Sequence, residues 1–448
     1  MSKEGGYLNT ELHFGNIKCT RDMEEVSTLE MQIAERARRN PDEPLTNLHS
    51  FIDCRMLNES LGMLNRESAP GVDGQTWSQY CDSCMDSIPE LHKAFKSGQY
   101  RAPHIRRTYI PKGEGQLRPL GLPTVEDKVL QRAVTRVLTP VYEEVFLDCS
   151  YGYRGGKSAH DALNELFHRV SFEGGRYIID ADIQDYFGSI DHQCLREFLD
   201  LRIKDGVIRK QIDKWLKAGI LEGNQVSYPK EGTPQGGIIS PLLSNIYLHY
   251  VLDDWFTNQI RPLLKGQSSM IRYADDFVMC FTNKTDAYRV LKVLGKRLSK
   301  YGLTLHPEKT RLIELDRKDD RRNRTFDFLG FTHYMSYSRK GHRILKRKTS
   351  KKKLRMAMTK MSHWLRINRH IGVKDLIYKV NLKLRGYYGY YGITFNSRSI
   401  KTYFQQVKRL LFKWLNRRGG RKWNWLEYRK IVDEYCLLLR PRIYHSYR

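Results

Sequence analysis

No run of 18 apolar residues occurs in the 448-residue sequence, so no membrane-spanning segment is expected. The opening residues, MSKEGGYLNTELHFGNIKCT, lack the apolar centre of a secretory signal. Eight cysteines are scattered along the chain. The one close pair, Cys81 and Cys84, has no second Cys/His pair at zinc spacing, so it reads as structural and the thiols as reduced, cytosolic ones. Internal repeats are absent, and RKTSKKK at 347–353 is the one low-complexity tract. Acids almost vanish toward the C-terminus. Residues 341–448 hold 29 Lys and Arg but four acids, Asp375, Glu427, Asp433 and Glu434. Of the net +27 of the chain, that segment carries +25, leaving about +2 for everything before it. Charge serving solubility alone would be spread evenly. A basic stripe on one segment is the footprint of a polyanion, and nucleic acid is the usual one.

The hydrophobic fraction of 40% and aromatic fraction of 11% describe a folded chain, long enough for two or three domains. Residues 28–39, TLEMQIAERARR, predict a short amphipathic helix, helices continue through 43–68, and APGVDG at 69–74 breaks the pattern. Strand-like runs appear in RRTYIPK, RYIIDADI, SMIRYADDFVMCF and TFDFLGFTHY. Helical stretches at 124–146 and 285–302 lie between them, which predicts an α/β domain with a small sheet. From about residue 345 the strand signals fade, and basic, aromatic-rich helices are expected, beginning with KRKTSKKKLRMAMTKMSHWLRINRH at 346–370.

Within IRYADDFVMC, Asp275 and Asp276 sit side by side in an apolar run, a costly placement unless something positive compensates them. A second acidic strand end, YIIDADIQDYF, delivers Asp182, and strand alternation puts Asp180 and Asp182 on one face with Ile183 on the other. If the two strands are neighbours, three carboxylates meet, the oxygen-rich surrounding that Mg²⁺ prefers. Two such ions about 4 Å apart, with Mn²⁺ as an alternative, would clamp the attacking and leaving oxygens of a phosphoryl transfer. Other segments suit the same chemistry. A Pro-Gln-Gly-Gly turn at 234–237 precedes an apolar helix, where glycines admit a ligand and a helix N-terminus favours phosphate. Lys112 and Arg118 flank a glycine-containing hairpin turn and could reach a triphosphate. Lys309, in HPEKT, is a candidate acid for a pyrophosphate leaving group, and FDFLGF suits a primer grip.

APGVDG, LRPLGLPTVEDKVLQRAV, SYGYRGGKSAHDAL, DADIQDYF, GTPQGGIISPLLSNIYL, RYADD, HPEKT, FLGF and KLRGYYGYYG occur in the order and at the spacing of a known family. From about residue 45 onward the chain resembles a bacterial group II intron reverse transcriptase/maturase. The resemblance implies a right-hand polymerase of α/β (α+β) class, with fingers and palm around a small antiparallel sheet and an all-helical thumb and maturase domain behind. It implies an N-terminal extension at 1–42, a helical fingers segment at 43–109, fingers and palm at 110–340, a thumb at 341–380 and a maturase-like domain at 381–448. Carried over residue by residue, Asp182, Asp275 and Asp276 look like metal ligands, joined by the backbone of Ile183, which also touches the incoming nucleotide. Phe187 resembles the steric gate that would collide with a ribose 2′-OH. Gln235 and Gly236 resemble the floor of the nucleotide pocket, and Lys112 and Arg118 its phosphate clamp. Asp180 and Asp185 are expected to have structural roles. One departure is Gly155-Gly156, where relatives commonly carry Arg-Pro-Gly, and a looser finger loop is expected there.

The basic C-terminal segment interleaves Tyr and Trp with Lys and Arg, which suits RNA, because rings stack on bases while cations neutralise phosphates. Lys351, Lys352, Lys353, Arg385, Tyr387, Arg417 and Arg418 are the expected contacts, and about half of the aromatics are expected in a helical core. No endonuclease module with paired Cys and His follows RPRIYHSYR, so priming without second-strand cleavage is expected. The expected partners are template and intron RNA, a DNA primer or target, and dNTPs, in the cytoplasm of a bacterium and away from membranes. Alternatives are the same polymerase recruited to phage defence, CRISPR adaptation or DNA repair, and a non-catalytic RNA-binding splicing factor. The latter tends to lose metal ligands, and all three aspartates remain here.

Overall fold

The protein is represented by a computed structural model. It describes residues 22–113, 116–223, 225–228, 231–233, 236–315, 324–420, 422–430, 432 and 437–447, with side chains described from residue 28 onward except at 112, 113 and 116. No described helix is long and apolar enough to cross a membrane. The chain divides into two compact units, each assembled from separate segments. One takes the residues up to Leu147, then Asp185–Leu252 and Tyr301–Leu303; the other takes Asp148–Gln184, Asp253–Lys300 and the residues from Thr304 on.

The first unit is built on the helix Val125–Glu143, whose Val129, Leu130, Ala133, Val134, Val137 and Leu138 are fully buried. Thr124 starts it, accepting a hydrogen bond from the Asp127 amide. A polar chain is buried along the same helix. Asp127 accepts from Trp215 Nε1 (2.6 Å), Tyr100 Oη (3.2 Å) and Gln131 Nε2 (2.9 Å), and Gln131 Oε1 in turn accepts the Ile238 amide at 2.8 Å. Burial pushes the Asp127 carboxyl up to about 6, against the pull of those three donors. The expected basic hairpin is present as Ile105–Gly113 and Gln116–Leu122. It belongs to a four-stranded sheet that is not wholly antiparallel, because Ile105 and Arg106 run parallel to Ile220 and Leu221.

The second unit centres on an antiparallel sheet with strands in the order Arg311–Glu314, Tyr177–Ala181, Asp276–Phe281 and Ser268–Tyr273. One face carries Ile178, Ile271, Val278, Cys280 and Ile313 into a core shared with the helix Ala159–Ser171. Ser158 and Asp161 cap that helix reciprocally. A three-stranded sheet, Thr325–Phe328, Phe331–Tyr337 and Arg343–Thr349, adds Phe326, Phe328, Phe331 and Leu345 to the same core. The helices Lys351–Asn368, Val373–Tyr391, Ser397–Leu415 and Trp425–Lys430 form their own core around Leu365, Val380, Leu384, Val407 and Leu411.

Residues 346–349 depart from the expected helix. Helix was expected from residue 346, but Arg343–Thr349 is a strand paired along its length with Phe331–Tyr337. Its cations hid the strand: Leu345, Arg347 and Thr349 are buried on one face, while the other holds buried Ile344 and exposed Lys348. Arg347 is fully buried, with a guanidinium nitrogen donating to Leu163 O at 2.9 Å and the guanidinium carbon 4.6 Å from the Tyr447 ring centre. Burial draws its pKa down to about 9. The helix begins only at Lys351, after Ser350. The apolar helix after the Gly-Gly turn also differs from a plain α-helix. It runs as Ser240–Leu248 and passes into π-helical turns at His249–Asp253 and Trp255–Ile260. The free cysteines among the described residues include Cys81 and Cys84, at the end of one helix and the start of the next.

Candidate active site

Asp276 opens the strand Asp276–Phe281 and pairs across a two-residue turn with Tyr273. The turn residues are Ala274, left-handed at φ 59°, and Asp275. Gly152 packs against this turn so closely that a Cβ there would lie 2.4 Å from the Ala274 nitrogen, so only glycine fits. The neighbouring strand ends its pairing with Ala181 opposite Phe277. The next residue, Asp182, therefore lies beside Asp276, on the face that alternation also assigns to Asp180. The two acidic motifs, 94 residues apart in the chain, are neighbours in space.

The electrostatics reflect that crowding. Burial first, then the charges of Asp180, Asp275 and Asp182, push the Asp276 carboxyl up to about 7, and a hydrogen bond from the Leu329 amide partly opposes the rise. Burial lifts Asp180 to about 6, although Arg311 pairs with it at 3.2 Å. Lys309, exposed on HPEKT, places Nζ 2.5 Å from an Asp182 oxygen, and the Asp182 carbonyl accepts the His306 amide at 2.8 Å. An ammonium thus already balances one of the carboxylates.

Among the described residues, no three His, Cys, Asp or Glu side chains gather around one point as a ready cage for an ion. Asp182 and Asp276 adjoin, Asp275 sits in the turn beside them, and the charges of both neighbours are felt at Asp276. The donors nevertheless suit magnesium. They are hard oxygens in excess of nearby cations, and magnesium is ordinarily held by one or two carboxylates with water and substrate phosphates completing its shell.

Beneath the turn lies a pair that sequence reading missed. Arg272 and Asp253 are both fully buried, with contacts of 2.7 and 2.5 Å. Arg272 Nη1 also donates to Ala274 O at 3.0 Å, and its backbone bonds to Cys149 and Tyr151. A lone arginine inside the apolar IRYADDFVMC was the available signal. Ile183, buried, pairs with Leu305 in a short two-stranded ladder.

The other expected nucleotide contacts fall in the first unit. Phe187 sits on the short 3₁₀ turn Tyr186–Gly188, whose Tyr186 hydroxyl donates to Ser244 O at 2.7 Å. It lines a cavity of about 290 Å³ together with Arg107, Gly121, Gly232 and Thr233. Gly236, at φ 121°, lies so near the hairpin that a Cβ would be 2.4 Å from Gly121 O. Arg118 is exposed on that hairpin, opposite Ile110. The Lys112 side chain and all of Gln235 lie outside the described residues.

The expected RNA contacts divide. Lys351, Lys352, Lys353, Arg385 and Arg417 are exposed, and Arg417 lies over the Trp414 ring at 5.3 Å. Arg418 is half-buried and donates to Ile371 O. Tyr387 is placed differently from expectation. Its ring stacks on Tyr403 at 3.8 Å and lies 4.6 Å from Tyr391, so packing rather than base stacking occupies it.

Comparison with known proteins agrees with this geometry. Residues 110–333, half of the chain, match the reverse transcriptase (RNA-dependent DNA polymerase) family, and residues 354–435 match the maturase-specific domain of group II introns. The group II intron-encoded protein LtrA of Lactococcus lactis subsp. cremoris is 33% identical over 291 residues, covering 63% of this chain and 47% of LtrA. Protein YkfC of Escherichia coli K12 is 34% identical over 240 residues, covering 47% and 62%. A 91 kDa protein in the cob intron of Schizosaccharomyces pombe is 27% identical over 490 residues, covering 89% and 58%. The chain spans 47 to 62% of the length of these three relatives. With its paired acidic strand ends and its matched C-terminal helices, the chain belongs to the reverse transcriptase family and carries a group II intron maturase-specific domain.

Proposed function

We propose that the protein is an RNA-directed DNA polymerase that also binds a group II intron RNA and supports its splicing. The observation that carries the reading is the adjacency of Asp182 and Asp276, with Asp275 in the turn between strands. Asp182, Asp275, Asp276 and the carbonyl of Ile183 would hold Mg²⁺, which when bound supplies Lewis acidity toward the attacking hydroxyl and the departing pyrophosphate. The chain's own residues do the rest. Lys309, seated on Asp182, can pass to the leaving group as its oxygen gains charge, delivering a proton from Nζ. Arg118, Lys112, Gln235 and Gly236 orient the triphosphate, and the Phe187 ring excludes a 2′-hydroxyl. The thumb is assigned to the helix from Lys351, and Arg385, Arg417 and Arg418 to the RNA-facing surface behind it. Tyr387 is withdrawn from that surface because its ring is stacked.

Purified protein given Mg²⁺, a primed RNA template and dNTPs should make complementary DNA. Asp275→Ala and Asp276→Ala should each abolish synthesis while RNA affinity holds. Failure of the unaltered protein to extend any primer would overturn the polymerase reading.

A further inference from the structure

Between the strands Thr325–Phe328 and Phe331–Tyr337 the chain reverses through Leu329 and Gly330. Both are left-handed, at φ 50° and 80°. Such a two-residue turn ordinarily takes Asn-Gly or Asp-Gly, because a bulky residue with positive φ is strained. Leu329 is therefore a conformation that its surroundings must hold. Two hydrogen bonds do so, one on each side of its α-carbon. Its N–H donates to the Asp276 carboxylate. Its carbonyl accepts the Tyr390 hydroxyl at 2.8 Å.

Tyr390 stands at the end of the helix Val373–Tyr391, inside the stretch that matches the maturase-specific domain. It is fixed in turn. Its carbonyl accepts His160 Nε2 at 2.8 Å, from the helix packed under the acidic sheet, and its ring lies 5.8 Å from Phe331 and 4.9 Å from Tyr391. Three hydrogen bonds thus connect His160, Tyr390, Leu329 and Asp276 without a gap. Asp276 feels the charges of Asp180, Asp182 and Asp275, and the Leu329 amide is a donor aimed at its carboxylate that helps set where its oxygens point.

We infer that Tyr390 is a positioning residue of the polymerase centre: by holding the Leu329 carbonyl it aims the Leu329 amide at Asp276, so a helix of the maturase-specific segment sets the geometry of a reacting carboxylate. The inference rests on the polymerase reading above for its kinetic part and on hydrogen bonding alone for its structural part. A merely structural tyrosine would affect melting and RNA binding. A positioning tyrosine affects the chemical step and the Leu329 amide specifically.

Tyr390→Phe keeps the ring and removes the one oxygen at issue. The test compares it with Tyr337→Phe, an exposed tyrosine on the neighbouring sheet. On a primed RNA template, Tyr390→Phe should lower kcat roughly ten-fold while KM for dNTP and the RNA Kd stay within about two-fold, in keeping with the sensitivity of catalysis to small misplacements. In the metal-free protein, hydrogen exchange at the Leu329 amide should quicken in Tyr390→Phe and remain unchanged in Tyr337→Phe. Unaltered kcat in Tyr390→Phe beside an active parent overturns the inference, as does unaltered exchange at Leu329. An inactive parent overturns the polymerase reading instead, and the exchange measurement still decides whether Tyr390 holds the turn.

Discussion

Arg272 and Asp253 form a salt bridge from which solvent is wholly excluded, directly beneath the turn that carries Asp275. Taking both charges out of water is expensive, and their mutual contact offsets that cost only while both are present. Asp253→Ala should therefore destabilise the protein by about 3–5 kcal/mol, because it strands a buried guanidinium. Arg272→Met combined with Asp253→Leu should recover most of that loss in denaturant titrations and yet impair synthesis, since the Ala274 carbonyl then loses the Arg272 donor. Equal stability of the single and double variants would show that the pair does not act as a unit.

Asp276 makes stability depend on pH in a direction unusual for a carboxylate. Its pKa is raised from 3.8 to about 7 in the folded chain, so between those values the folded state binds the extra proton. Stability from this group is complete below about pH 4 and is lost as pH rises through 7. Asp276→Asn removes the charge and keeps an oxygen for the Leu329 amide. Without divalent cation it should be more stable than the parent at pH 8, by up to about 4 kcal/mol from roughly three pKa units, and no more stable at pH 4. Melting curves across that range check it, and a gap that fails to narrow toward acid refutes the assignment.

Phe187 tests the gate. Phe187 lines a cavity with Gly121 and Gly232, where a sugar could be excluded by shape alone. Phe187→Ala should lower the preference for dNTP over rNTP by at least about ten-fold, the scale of steric discrimination in a packed pocket. Single-nucleotide incorporation with each substrate measures it, and unchanged rNTP use would remove Phe187 from that role.

Lys351, Lys352 and Lys353 occupy the first turn of a helix that has no acid there. Cations at that end oppose the helix dipole, so the helix tolerates them at some cost to itself. Changing all three to Gln should leave the fold intact and reduce the slope of log affinity against log salt by about two for single-stranded RNA. Filter binding across a salt series checks this, and an unaltered slope would place the RNA elsewhere.

Much of the candidate site was legible because its residues run against what folding alone would select. Adjacent aspartates in an apolar run, and glycines before an apolar helix, stand out against their surroundings. Arg272 stood in that same run and went unassigned, because its partner Asp253 comes from a π-helical turn that no periodicity announces. The strand Arg343–Thr349 was misread for the opposite reason. Four of its seven residues are cationic, and only pairing with Phe331–Tyr337 and the burial of Arg347 reveal the alternation. Tyr387 and Tyr390 look alike in YYGYY, yet one ring stacks on Tyr403 and the other hydroxyl reaches Leu329.

By itself, then, the order of residues determined the family, the polarity of the chain's charge and which aspartates stand at strand ends. Those are local matters, written in residue type and spacing. Tertiary structure alone decided that Asp182 adjoins Asp276, that a buried arginine underlies the turn, and that a tyrosine of the C-terminal helices reaches the acidic sheet through Leu329. Each of these joins residues 19 to 114 positions apart, and packing, which no local pattern encodes, selects the partner.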